Sequence, residues 1–134
     1  MLRTLVLHHR DWVVLSNERE KLRWAWHEFF ENFDVIVAPI AGTAAFPHDH
    51  SPIEARTTLV DDQPRPYFDP LFWGGLFGVA YLPATAIPVM RNAEGLPLGV
   101  QIVGPEYGDR ITIGVARLLE DVGFRFNPPP GYAT

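Results

Sequence analysis

Apolar residues recur at helical spacing between residues 16 and 33. This spacing places them on one face of an amphipathic helix that would pack against a core. The apolar positions are Leu22, Trp26, Phe29, Phe30 and Phe33. Ser16 or Asn17 is suited to begin the helix, because Glu20 follows Asn17 at the spacing of a capping box. The pattern predicts a helix over 16–33.

A short apolar run, "VIVAP" at residues 35–39, follows this helix after one polar residue. A continuous run of β-branched residues is typical of a strand that is buried on both faces. A helix joined to a strand with almost no connection indicates a layered α/β architecture.

A proline-rich stretch separates this strand from the next predicted elements. Residues 39–70 form a long loop, in which "TTLVDDQPRPY" is expected to make a small hairpin. Asp69 and Pro70 have the residue types of an N-cap and first turn, which predicts a short helix in "PLFWGGLFGVAYL".

Two strands and a helix are predicted in the last third of the chain. "ATAIPVM" and "LPLGVQIVG" read as an antiparallel pair around the turn "RNAEG". Asp109 is expected to cap a helix over 110–122, and Gly123 to end it. Its inward-facing residues are predicted to be Ile111, Val115, Leu118, Leu119 and Val122.

Composition restricts the classes of function. The chain has 134 residues and a net charge of −5, which argues against nucleic acid and anionic membrane surfaces as partners. Its apolar runs are too short or too broken by proline to span a bilayer, and the N-terminal residues do not resemble a signal peptide. The lack of cysteine excludes thiolate chemistry and fits a cytoplasmic location.

The segment "HDHS" at residues 48–51 holds the residue types of a serine-hydrolase triad. Four adjacent residues cannot easily converge as triad members do. His48 and His50 would point to one side of an extended segment, where they could ligate a metal, but a third protein ligand is not evident. We therefore favour a polar loop, with a metal site as the alternative, and predict no cofactor.

Glycines punctuate "EGLPLGVQIVGPEYGDR" at residues 94–110, as they do in phosphate-binding loops. Neither of the nucleotide-binding glycine patterns is present. Asp109 at the start of the following helix would also repel an anion. The glycines are therefore interpreted as backbone corners, and no phosphate site is predicted.

Three segments resemble the amidase-signature hydrolases. They are "FFENFDVIVAPIAGTAAFPHDH", "WGGLFGVAYLPATAIPV" and "GLPLGVQIVGPEYGDRITIGVARLLE", of which the last is the most specific. The resemblance implies that residues 1–134 are the C-terminal part of one incomplete amidase-signature domain. It also implies an α/β/α layered fold with a mixed sheet flanked by helices. Where the family commonly has Asn and then Gly-Leu-Pro, this chain has Gly78 and then Tyr81, Leu82 and Pro83.

The resemblance implies hydrolysis of a carbon–nitrogen amide bond by a Ser–Ser–Lys mechanism. No catalytic residue of that mechanism can be assigned to this chain, because its only lysine is Lys21 and its only serines are Ser16 and Ser51. The loop after Pro39 and the aromatic segment 72–85 would contribute to the substrate pocket. The candidate pocket residues are Pro39, His48, Phe72, Trp73 and Tyr81.

Two functions remain open from the sequence. The first is a part of an amidase that is not active alone and acts on a small-molecule amide once the whole enzyme is assembled. The alternative is a non-catalytic relative that serves as a binding or interaction module. Both predict self-association or pairing with a missing N-terminal part, because an incomplete domain exposes strand edges and apolar faces.

Overall fold

A computed structural model of the chain describes residues 6–129 and 131–132. Helix α1 spans His9–Phe30, so it begins well before the predicted start at residue 16. Neither glycine nor proline occurs between residues 8 and 31, and a helix propagates readily through such a stretch. The expected cap at Ser16 or Asn17 is therefore wrong. The N-cap residue is His8, which makes no capping hydrogen bond through its side chain.

A three-stranded antiparallel sheet forms the centre of the chain. Its strands are β1 (Ile36–Pro39), β4 (Ala84–Arg91) and β5 (Pro97–Val103), in the spatial order β1-β5-β4. The predicted hairpin of β4 and β5 is confirmed, with a register shift between Pro88 and Met90.

The two faces of the sheet are covered by different helices. On one face, Ala38 and Val103 pack with buried Phe77, and Trp26 and Phe30 of α1 lie against this cluster. On the other face, Ile102 is fully buried. Helix α3 (Asp109–Asp121) covers that face, where the Thr85 and Thr112 hydroxyl oxygens lie 2.8 Å apart. The sheet therefore lies between helical layers, and the expected α/β class is confirmed.

Strand β1 is covered on one face only. Val37 pairs with Ile102 and so lies on the α3 side of the sheet, yet it is 54% exposed. Helix α3 packs against β4 and β5, and does not shield this side chain. The expectation that β1 is buried on both faces is therefore wrong for this chain.

The predicted small hairpin is confirmed within the long loop. It consists of β2 (Thr57–Val60) and β3 (Gln63–Pro66), preceded by a 3₁₀ turn at Ile53–Ala55. A second 3₁₀ turn, Asp69–Leu71, leads into helix α2 (Phe72–Gly78). The side chain of Asp69 makes no capping hydrogen bond, so its predicted role as a cap is wrong.

Helix α3 uses a narrower packing face than its apolar residues predict. Thr112 is its only buried residue, while Ile111, Leu118 and Val122 are 43%, 66% and 73% exposed. Of the five predicted inward positions, Val115 and Leu119 are half-buried. The predicted cap at Asp109 is also wrong because Gly108 is the N-cap residue, but Gly123 follows the helix with a φ of +114°.

Candidate functional site

Two adjoining clefts lie in the loop region between residues 45 and 68. The larger has a volume of about 660 Å³, and the smaller of about 430 Å³. The larger cleft is lined by Ile53, Glu54, Arg56, Thr57, Pro64, Arg65, Pro66, Tyr67 and Phe68. The smaller is lined by Ala45, Phe46, Pro47, His48, Asp49, His50, Arg56 and Tyr67. Arg56 and Tyr67 thus form a wall that the two clefts share.

The histidine-containing segment of the smaller cleft is organised around Asp49. The Asp49 carboxylate accepts hydrogen bonds from the Ser51 backbone N–H at 2.8 Å and from Ser51 Oγ at 2.6 Å. These bonds hold the pKa of Asp49 below its ordinary value, since both favour the charged carboxylate. The Ser51 hydroxyl thus donates to an aspartate rather than to a histidine, which supports the polar-loop interpretation.

The rings of His48 and His50 lie close together, with 6.1 Å between their centroids. A metal centre needs further ligands around such a pair. Among residues 6–129 and 131–132, no group of three or more His, Cys, Asp or Glu residues is placed to hold an ion.

Arg56 is the charged residue that both clefts share. Its Nε donates a hydrogen bond to the Ser51 carbonyl oxygen at 2.7 Å, and its guanidinium lies over the Tyr67 ring at 5.5 Å from the centroid. Both side chains are half-buried. Neither residue was among the predicted pocket residues. An arginine within a proline- and aromatic-rich loop was the signal that could have identified this position.

Tyr81, a predicted pocket residue, lies at the corner between α2 and β4. Its φ of +61° belongs to the left-handed region that favours glycine, the residue that the amidase-signature pattern has at this position. The guanidinium groups of Arg19 and Arg23 lie over its ring, at 4.9 and 5.4 Å from the centroid. The aromatic ring therefore contributes to joining α1 to this corner.

Arg23 also forms an ion pair with Glu106, in the connection between β5 and α3. A second bond, at 2.8 Å, joins Arg23 Nη1 to Glu20 on α1. The Arg23 guanidinium lowers the pKa of Glu106, and the two carboxylates raise the pKa of Arg23. This network connects the first helix to the end of the central strand.

The other predicted pocket residues occupy separate environments. Phe72 is 60% exposed and packs edge-to-face on Trp73, which lies against the buried core of Phe77, Ala38 and Val103. Pro39 is exposed at the end of β1, and its carbonyl oxygen accepts a hydrogen bond from Gln101. His48 lines the smaller cleft, whereas Pro39, Phe72, Trp73 and Tyr81 do not.

The lysine and the two serines are engaged in local contacts. Lys21 Nζ lies 2.7 Å from the Glu18 carboxylate on the surface of α1, with its side chain 72% exposed. Ser16 Oγ accepts a hydrogen bond from Arg19 at 3.0 Å on the same helix. Ser51 contacts Asp49 in the loop. Neither serine hydrogen-bonds to the lysine.

The described residues thus form an antiparallel sheet between helical layers, with open clefts at one loop. None of the described helices is both long and apolar enough to cross a membrane. A crystal structure of an amidase superposes on this fold with a TM-score of 0.75 at 23% sequence identity, covering 90% of this chain and 27% of the other. This likeness defines the fold class.

The sequence comparison defines the family. A family model for amidases matches residues 3–113, and the chain belongs to the amidase family. It is 28% identical over 102 residues to a glutamyl-tRNA(Gln) amidotransferase protein of Clostridium acetobutylicum, covering 76% of this chain and 20% of that protein. It is also 27% identical over 114 residues to a fatty acid amide hydrolase of Oryza sativa subsp. indica, covering 84% and 18%. The chain spans about a fifth of the length of these relatives.

Proposed function

We propose that this chain is the C-terminal part of an amidase-signature enzyme that hydrolyses a carbon–nitrogen amide bond. The bond would be cleaved by acyl transfer to a serine that is activated through a second serine and a lysine, all outside these residues. The observation that carries the proposal is the placement of Lys21, Ser16 and Ser51, each engaged in a local surface contact. Membership of the amidase family supplies the reaction class.

The energetic requirement explains why this chain is expected to be inactive alone. Enzymes lower the barrier of their reactions by at least about 8 kcal/mol, through nucleophile, base and oxyanion donors that act together. Ser51 Oγ donates to Asp49 instead of to a base that could accept its proton, and Ser16 lies on a helix surface beside Arg19. Neither serine has the partners of an activated nucleophile.

Within the assembled enzyme, this chain would supply sheet strands, covering helices and one wall of the substrate pocket. We propose Pro39, His48, Phe72, Trp73 and Tyr81 as the pocket residues. The exposed aromatic ring of Phe72 and the exposed ring of Pro39 are free to contact a neighbouring segment or an amide substrate. The substrate would be a small-molecule amide, and the enzyme would act in the cytoplasm.

Hydrolysis assays on the purified chain test this proposal. A panel of p-nitroanilides with short and long acyl groups should give no turnover above the buffer rate. A double variant, Ser16→Ala with Ser51→Ala, is the matched control for contaminating enzymes. Turnover that the double variant abolishes would overturn the proposal, because the nucleophile would then lie in this chain.

A second candidate function is a non-catalytic interaction module. The exposed apolar side of β1 favours it, because Val37 and Ile40 are 54% and 40% exposed beside a strand whose outer edge is unpaired. Under either function we expect the chain to self-associate or to pair with the missing N-terminal part.

Sedimentation velocity tests this association. The wild-type chain should sediment as a species larger than a monomer, and Val37→Glu should shift it toward the monomer. Leu59→Glu, at an equally exposed position of β2, is the control and should leave the distribution unchanged. A wild-type chain that is monomeric at all concentrations would contradict both the self-association and the module function.

A further inference from the structure

The larger cleft contains an arginine whose position is fixed before any ligand arrives. The Nε–H of Arg56 is held by the Ser51 carbonyl oxygen at 2.7 Å, and its planar face rests on Tyr67. Long side chains normally lose rotational freedom when they bind a ligand, and a side chain already held in place loses less. Arg56 is therefore preorganised.

The two terminal amino groups of Arg56 hydrogen-bond to no other residue in the part of the chain that the structure describes. In this geometry the free groups form the fork that binds a carboxylate through two parallel hydrogen bonds. Arg65 lines the same cleft, in which Glu54 is the only acidic residue. The cleft thus has a net positive lining in a chain whose net charge is −5.

The remaining wall of the larger cleft is apolar. It is formed by the side chains of Ile53, Pro64, Pro66, Tyr67 and Phe68. Its volume of about 660 Å³ falls within the range of small-molecule sites. A ligand that satisfies both parts of the lining has a negative head and an apolar body.

The smaller cleft has a different charge. It shares Arg56, but its lining includes the Asp49 carboxylate, whose charged form is stabilised by Ser51. A second carboxylate there would be repelled by Asp49. The larger cleft is therefore the better site for an organic anion.

We propose that the larger cleft binds a small organic carboxylate with an aromatic or aliphatic body. The carboxylate would pair with the free fork of Arg56, with Arg65 adding positive charge, and the body would pack on Phe68 and the prolines of β3. This proposal concerns binding by the chain itself and does not rest on amide hydrolysis. Its failure would leave the proposed enzyme function unaffected.

Phenylacetate, phenylacetamide and inorganic phosphate are suitable probes, titrated into the 134-residue protein by calorimetry and by NMR of the backbone amides. Phenylacetate should bind and shift the amide signals of residues 53–57 and 64–68. Phenylacetamide lacks the charge and should bind at least about tenfold more weakly, as expected for the loss of a charge-assisted hydrogen bond. Phosphate lacks the apolar body and should also bind more weakly than phenylacetate.

Substitutions identify the residue responsible. Arg56→Gln should weaken phenylacetate binding about ten- to a hundredfold, since the paired, charge-assisted bonds are lost. Arg56→Lys should recover only part of it, because lysine retains the charge but not the fork. Arg91→Gln is the matched control: Arg91 also donates to a backbone carbonyl oxygen, that of Gly95, but lies outside the cleft.

The Arg65→Gln variant keeps the test valid if replacing Arg56 disturbs the loop. It leaves the Arg56–Ser51 bond intact and should weaken phenylacetate binding by a few-fold. The proposal would be overturned by any of three results: no binding of phenylacetate, equal binding of phenylacetamide, or unchanged affinity in both the Arg56→Gln and Arg65→Gln variants. Equal weakening by Arg91→Gln would also contradict it.

Discussion

The two β-hairpins of this chain have the same topology but opposite surroundings. In the β4–β5 hairpin, Gln101, Ile102 and Val103 of the central strand are buried between helical layers. In the β2–β3 hairpin, every residue of β3 is exposed, and Thr58 is the only buried residue of β2. The first hairpin forms part of the core, whereas the second forms a wall of a cleft.

The two hairpins also differ in how their conformation is specified. Packing on both faces determines the register of β5, because a shift by one residue would exchange Ile102 with Val103 between two different helical layers. In the exposed hairpin, Asp61 and Asp62 both have positive φ, as a type I′ turn requires. The comparison shows that buried apolar area stabilises one hairpin and local turn geometry the other.

Truncation of a side chain in each hairpin should give the largest difference. Ile102→Ala removes a fully buried side chain and should lower the free energy of unfolding by about 2–5 kcal/mol. Leu59→Ala in β2, where the side chain is 60% exposed, should change it by less than about 0.5 kcal/mol. Urea denaturation followed by circular dichroism measures both values, and equal losses would contradict the comparison.

Adding one methyl group at Gly99 tests the close packing of the buried hairpin. A Cβ there would lie 2.9 Å from the Ile87 carbonyl oxygen and 3.1 Å from Ile40 Cδ1, so Gly99→Ala should cost about 1–3 kcal/mol. Gly114→Ala on α3 is the control, because a Cβ there meets nothing within 4 Å. That substitution should stabilise the chain by about 0.5–1 kcal/mol. Loss of stability in both variants would show that the packing argument is wrong.

The corner that leads into the buried hairpin should reverse the usual order of alanine and glycine. Tyr81 has a φ of +61°, where an L-residue with a Cβ costs roughly 1–2 kcal/mol more than glycine. Tyr81→Gly should therefore be more stable than Tyr81→Ala by about 1 kcal/mol, although both lose the contacts with Arg19 and Arg23. Thermal unfolding of the two variants decides the order, and a more stable alanine variant would contradict the strained backbone.

Turn substitutions should have opposite signs in the two hairpins. Asp62→Gly should stabilise the exposed hairpin by about 0.5–1 kcal/mol, because glycine adopts its φ of +59° without a steric penalty. Gly95→Ala, at a φ of +82° in the turn between β4 and β5, should cost about 1 kcal/mol. Destabilisation by Asp62→Gly would mean that turn geometry does not stabilise the exposed hairpin.

The smallest expected effect concerns the ion pair between Arg23 and Glu106. Because the folded-state pKa of Glu106 is lowered, its contribution to stability is present at neutral pH and is lost as pH falls through that lowered pKa. Glu106→Gln should make the acid decline in melting temperature shallower. Glu94→Gln, at an exposed turn position, is the control and should retain the wild-type slope.

Much of the fold could be predicted because the strands carry unambiguous patterns. The β4–β5 pair and the small hairpin were marked by β-branched runs around Asn-Ala-Glu-Gly and Asp-Asp turns. Helix ends were harder to predict. His9–Leu15 has no local start signal, and the helix forms there because nothing interrupts it.

Burial could not be read from apolar character alone. Ile111, Leu118 and Val122 are apolar yet exposed, while the buried position of α3 is a threonine that hydrogen-bonds to Thr85. The clefts were missed for a related reason. Arg56 and Tyr67 are separated by the hairpin in sequence, and only its folding brings the guanidinium over the ring.

Labelling with a fluorophosphonate tests the central claim, that the reactive serine lies outside this chain, most directly. The reagent forms a stable adduct with an activated serine, and intact-mass spectrometry detects the added mass. We predict that the purified chain keeps its unmodified mass, since Ser16 and Ser51 each lack an activating base. Stoichiometric modification of either serine would contradict the account.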